Sequence, residues 1–276
     1  MAHSTRIRKA AVSGAFYPDN PKDLADTVKF FLNSALKEEK NITKENSKLK
    51  ALIAPHAGYI YSGPVAGCSF SQLALAPNKP KDIVLIGPAH YVPVYGVALS
   101  GADFFETPLG QIKINNTLRE KAVKNFSFVL LEDEAHQPEH CLEVELPFLQ
   151  IVLENSFSIL PLLTGAISYQ ETAKLLSFLI EEGAFVIVSS DLSHYLDYET
   201  AKKVDFQTAQ YITSLKPELI ESEMACGHTA IKALLEVSKM KGYTANTIKL
   251  ANSGDTYGDK SKVVGYGAFS FFQNVH

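Results

Sequence analysis

A chain of 276 residues, 46% hydrophobic and 20% charged, has the composition of an ordinary folded protein and the length to bury a large core. A formal net charge of -4 supplies no basic field, which argues against nucleic acid as a partner. Three cysteines, Cys68, Cys141 and Cys226, are too few and too scattered for a disulfide framework, and no C-x-x-C pair suggests structural zinc.

The amino terminus, M-A-H-S-T-R-I-R-K-A, lacks the apolar run of a signal peptide. No stretch approaches the roughly 18 uninterrupted apolar residues of a membrane span, so a cytoplasmic protein without membrane contact is expected. The first helical pattern covers residues 23–36, and the charged stretch 37–50 that follows reads as a solvated connector. Short apolar runs at 51–54, 83–86, 159–163 and 185–188 have no polar side to present, as befits strands covered on both faces. Helical patterns at 169–182, 199–215 and 229–240 alternate with them. Residues 252–262 read as a turn-rich loop, and 263–272 as a final strand. The alternation predicts an α/β fold, a mostly parallel central sheet flanked by helices. No repeat or composition break divides the chain, so a single domain over residues 1–276 is expected.

Three polar clusters each follow a predicted buried strand: A-L-I-A-P-H-A-G-Y with His56, D-I-V-L-I-G-P-A-H with His90, and F-V-I-V-S-S-D-L-S-H with Asp191 and His194. In open α/β sheets ligands bind beyond the carboxyl ends of the strands, where adjacent loops diverge. One histidine after a strand is more often a hydrogen-bonded loop residue; repetition at three strand ends favours one shared pocket. Imidazole nitrogens with a carboxylate are a ligand set for iron, zinc or copper. Asp191 and His194, three apart, would share a face if the chain turned into a helix there. His194 then serves as general acid or base and Asp191 as its orienter or a ligand, the bland alternative being a helix N-cap at Ser190 or Asp191.

Cys226, in S-E-M-A-C-G-H-T-A-I, precedes a helical pattern, and the positive end of a helix dipole favours thiolate and hence nucleophilic or ligand character. The alternative is a thiol packed as a small apolar group. His228 beside it is a further candidate, or a helix cap. In E-H-C-L-E-V-E-L-P-F, His140 and Glu143 are three apart and could reach the pocket from a helix. No phosphate-binding glycine loop and no G-x-S-x-G elbow is present.

Taken in order, I-A-P-H-A-G-Y, G-P-A-H, E-H-C-L-E-V-E-L-P-F, V-S-S-D-L-S-H and A-C-G-H-T-A-I resemble the Memo family, the AmmeMemoRadiSam system protein B group of prokaryotes. The resemblance runs from R-K-A-A-V-S-G-A-F-Y-P at Arg8 to G-Y-G-A-F-S at the end. It implies a fold similar to class III extradiol dioxygenases, in which nonhaem iron on two histidines and a carboxylate activates oxygen. By motif, His56 and His90 match the metal-ligand histidines, His194 the acid/base histidine, and Asp191 a pocket carboxylate. Cys226 stands where the dioxygenases present their carboxylate ligand; the softer thiolate tilts the site toward copper(I) or zinc, with iron still accommodated, and weakens the case for ring cleavage. Cys141 and His228 depart from the usual pattern. The resemblance implies iron or copper as cofactor, redox chemistry on a small molecule or a protein partner, and association with radical SAM and AMMECR-type proteins. The competing expectation is a binding module that holds a peptide or anionic ligand in the same pocket without turnover.

Overall fold

The computed structural model describes residues 5–38, 47–154 and 156–274. Its strands are β1 (Ile7–Arg8), β2 (Ser47–Ala54), β3 (Asp82–Pro88), β4 (Val97–Leu99), β5 (Phe104–Thr107), β6 (Gly110–Ile114), β7 (Val129–Leu131), β8 (Ser158–Thr164), β9 (Phe185–Ser189), β10 (His194–Leu196), β11 (Thr244–Asn252) and β12 (Val263–Asn274). The helices are α1 (Pro21–Glu38), α2 (Tyr59–Leu75), α3 (Asn116–Asn125), α4 (Asp133–His136), α5 (Leu146–Leu153), α6 (Tyr169–Glu181), α7 (Tyr198–Thr213), α8 (His228–Lys241) and α9 (Ser253–Thr256).

One mixed sheet links these strands, in the order β1-β5-β6-β8-β3-β9-β2-β12-β10. Its centre is the parallel set β8, β3, β9 and β2, with Val84 opposite Leu160 and Val186, and Ile53 opposite Val188. Because successive side chains alternate faces, each central strand feeds two cores. Ile53, Val84, Ile86, Leu160, Leu162 and Val188 pack with Leu175 and Leu176 of α6 and Leu234 and Leu235 of α8. Leu52, Leu85, Ile159, Leu163 and Ile187 pack on the opposite face with Leu24 and Val28 of α1, Phe70 of α2 and Leu149 of α5. This two-sided burial is why the strands read as unbroken apolar runs. Burial at about 25 cal/mol per Å2 of apolar surface makes it the main stabilising term.

Antiparallel strands complete the flanks: β12 runs against β2 with Phe269 opposite Ile53, and β11 covers the other side of β12. The expected final strand is therefore present, but reversed relative to the parallel centre. The connector expected over 37–50 is shorter than its charge suggests, since α1 runs to Glu38 and β2 starts at Ser47; residues 39–46 lie outside the described residues. Helix α2 has little sequence signal, with Pro64, Gly63 and Gly67 inside it. A Cβ at Gly67 would lie 2.9 Å from the backbone of Phe31, so close packing of α1 on α2 demands a residue that weakens the helical pattern. Among the described residues no helix is long and apolar enough to cross a membrane.

Candidate metal centre

The central order β3-β9-β2 sets three strand ends side by side. Two residues beyond them come His90, Asp191 and His56, respectively, and all three line one cavity of about 1040 Å3. The lining also includes His140, His194, Cys226 and an aromatic collar of Phe16, Tyr61, Tyr91, Tyr195, Tyr257 and Tyr266.

Each of three imidazoles is fixed through Nδ1. His56 Nδ1 lies 2.8 Å from Ser189 Oγ, at the end of β9. His90 Nδ1 lies 2.9 Å from Oε1 of the buried Glu139. His140 Nδ1 lies 3.2 Å from the Tyr91 hydroxyl and 3.3 Å from Glu139 Oε1. One nitrogen from each ring falls within 4.8 Å of the others, a spacing at which the three could share a metal ion. The His90 and His140 rings stack at 4.9 Å, and His56 stands edge-on to both. Cys226 Sγ lies 3.3 Å from His56 Nε2.

The carboxylates that hold this arrangement accept from backbone amides. Asp191 Oδ1 receives the His56 amide at 2.8 Å. Glu139 receives the His90 amide at 2.7 Å and those of His140 and Cys141 at 3.0 Å. These bonds define the loops more tightly than side-chain packing alone. Gly87 makes room for them: a Cβ there would meet Cys141 Sγ at 2.8 Å.

The model of the family described as Memo-like protein matches residues 8–270. The chain belongs to the Memo family. A MEMO1 family protein of Aquifex aeolicus (strain VF5) is 35% identical to it, the match covering 95% of this chain and 97% of that one. A MEMO1 family protein of Desulfurococcus amylolyticus is 33% identical, covering 96% and 99%. Among solved structures, an uncharacterized protein of Escherichia coli K12 has a similar fold, with a TM-score of 0.55 at 14% identity over 81% of this chain and 99% of that one.

Burial governs the electrostatics of this Memo pocket. Desolvation, with His90, His140 and His194 nearby, depresses the His56 imidazole well below its ordinary value, so it is neutral. Burial also lowers His140 and His194, against the pull of Glu139 on the former. Asp191 is pushed up to about 7 by burial, despite the amides of His56 and Ala57. Glu139 goes the other way: burial opposes ionisation, but hydrogen bonds from His90 and the Cys141 amide hold it at about 2.

Cys226 corrects the helix-dipole argument. It lies two residues ahead of α8, and burial followed by the Asp191 charge pushes its thiol up to about 12, outweighing the favourable backbone amide of Gly227.

The turn expected after β9 is also not helical. Residues 190–193 form a loop and His194 opens the short strand β10, opposite Val264 of β12, while the cap of α7 is Asp197. Asp191 and His194 reach the cavity all the same. Of the E-H-C-L-E-V-E segment, His140 reaches the cavity from a turn, but Glu143 does not. Fully buried, it accepts from Arg8, from the Ala11 and Val12 amides at 2.7 and 3.0 Å, and from the Tyr17 hydroxyl. His228 is the half-buried first residue of α8 and is not part of the cavity lining. Glu139 and Ser189, which anchor His90 and His56, escaped the sequence reading. Their nearest signal was adjacency: each stands within two residues of a residue already singled out.

Proposed function

We propose that this protein binds a redox-active transition metal, iron or copper, on His56 and His90 with Cys226 as the third donor, and that Asp191 and His194 handle protons beside it. One observation supports this most directly: three imidazoles, each held by a hydrogen bond at Nδ1, offer one nitrogen apiece within 4.8 Å of one another, with a thiol 3.3 Å from His56 Nε2. Histidine ligands to metals are commonly oriented by such bonds from the ring nitrogen that does not ligate. The donor set is chemically suited, since neutral imidazole and sulfur are favoured by the later first-row metals and by reduced copper. When bound, the ion would supply Lewis acidity and one-electron chemistry.

The remaining residues have definable work. Asp191, balanced near neutral pH, can hold or release a proton at its carboxyl, and His194 presents a neutral imidazole as acceptor. Tyr61, Tyr91, Tyr195, Tyr257 and Tyr266 give the cavity wall aromatic surface on which a small molecule could pack. Lys262 is the one lysine or arginine in the lining, which leaves a purely anion-binding module poorly supported.

The test is metal content of protein purified without chelator and after anaerobic loading with iron(II) or copper(I). Stoichiometric metal in the wild type, lost in His56→Ala and strongly weakened in Cys226→Ala, is the expected outcome. A wild-type protein that stays metal-free under every loading condition overturns the proposal.

A further inference from the structure

Glu145 has no part in the chemistry above, yet it is fully buried and only one of its carboxyl oxygens has a partner. Oε1 lies 2.8 Å from Ser189 Oγ, while Oε2 has no hydrogen-bond partner among the described residues. The same Ser189 hydroxyl stands 2.7 Å from the Cys141 carbonyl oxygen and 2.8 Å from His56 Nδ1. Three partners therefore compete for one hydroxyl.

A serine hydroxyl has one proton to donate and two lone pairs with which to accept. The Cys141 carbonyl can only accept, so the Ser189 proton goes there. The other two partners must then donate, Glu145 through a carboxyl O–H and His56 through Nδ1–H. An ionised Glu145 would claim the serine proton for itself. That would leave two oxygens 2.7 Å apart with no proton between them, and a buried charge holding one hydrogen bond. An unpartnered carbonyl oxygen at Oε2 is the cheaper defect. Burial, with Asp191 nearby, pushes the Glu145 carboxyl far above its usual range, which agrees with the donor count. On the far side of the imidazole, Cys226 Sγ lies 3.3 Å from Nε2.

We infer that Glu145 is a protonated buried acid which, through Ser189, locks His56 in the tautomer whose Nε2 lone pair faces the cavity. It is a positioning residue: a ring held with the proton on Nδ1 offers its other nitrogen to a ligand without a tautomer change. The value of that arrangement rests on the proposed metal site, but the proton assignment can be checked without any metal.

The experiment uses the full-length, metal-free chain with 15N-labelled histidine at neutral pH. NMR is expected to find the His56 proton on Nδ1 in the wild type and in Glu145→Gln, whose amide N–H donates where the acid did. Ser189→Ala is expected to admit a measurable fraction of the other tautomer, with the Ser189 backbone carbonyl, which also accepts from the His56 ring, left as its only hold on that side among the described residues. Infrared difference spectra between wild type and Glu145→Gln are expected to contain a carboxylic acid carbonyl band that shifts on deuteration. Zinc(II) affinity is expected to fall about 10- to 100-fold in Ser189→Ala and to stay near wild type in Glu145→Gln. A carboxylate band in place of the acid band, or a wild-type His56 carrying its proton on Nε2, overturns the inference. Wild-type protein with the Nδ1 proton that binds neither zinc(II) nor, under anaerobic loading, iron(II) or copper(I) overturns the metal reading and leaves the Glu145 assignment standing.

Discussion

Within one short segment the chain sends buried polar groups to two places, and the two are used differently. Glu143 turns toward the amino-terminal strand, where Arg8, two backbone amides and the Tyr17 hydroxyl occupy its lone pairs. Three residues earlier, His140 joins His56 and His90 in the lining of one cavity, each ring hydrogen-bonded at Nδ1. Both clusters are built from ordinary ion-pair and hydrogen-bond chemistry. The saturated one ties distant parts of the chain together. The other brings three imidazoles and a thiol to the wall of a cavity. Motif spacing could not separate them, because Glu143 and His140 look equally functional in sequence; the count of partners does.

The largest expected effect is on the saturated side. Glu143→Ala strands the buried Arg8 guanidinium and two amides, and should cost about 3–5 kcal/mol in chemical denaturation. That is a large share of the roughly 5–15 kcal/mol typical of a folded domain. The folded fraction should bind metal as the wild type does. Loss of metal binding at unchanged stability would reverse the assignment of the two clusters.

A second test concerns an acid with few partners. Asp205, buried on α7, accepts the Ser193 amide at 3.0 Å and is raised by burial from 3.8 to about 6. The folded state holds this proton more tightly than the unfolded chain does. The associated stability is complete below about pH 4 and is lost as pH rises through about 6. Asp205→Asn cannot ionise, so it should gain on the wild type by roughly 3 kcal/mol between pH 4 and 7, at about 1.4 kcal/mol per pH unit. A stability difference that stays flat over that range would show Asp205 to be as well solvated as a surface acid.

The sequence disclosed the scaffold better than the partners. Strands buried on both faces leave a plain apolar signature, and helices α6 and α8 end within a residue or two of their predicted limits. The loops that line the cavity were legible because β2, β3 and β9 are each followed by a cluster of polar residues. Helix α2 was hidden by the glycines its packing requires. Glu139, Ser189 and Glu145 were hidden for a different reason: their roles depend on which strand ends become neighbours, and that is fixed by the order of strands in the sheet. For Cys226 the two effects oppose each other: a helix terminus is a local feature that favours thiolate, whereas burial, a property of the whole fold, favours the thiol.

The smallest expected change in stability belongs to His140, and it sharpens the comparison most. The ring leans on Phe16 at 4.8 Å and stacks on His90, but it borders an open cavity, so truncation leaves space that water can enter instead of a sealed void. Glu139 keeps its amide bonds and His90. His140→Ala should therefore stay within about 1 kcal/mol of the wild type in chemical denaturation. Its effect on metal distinguishes the two possible third donors, since His140 and Cys226 flank His56 from different elements. With His56, His90 and Cys226 as ligands, His140→Ala should retain metal with affinity reduced about tenfold or less, as for the loss of a neighbouring group. If it loses metal outright while Cys226→Ala retains it, the ion is held by three imidazoles and the thiol is only their neighbour.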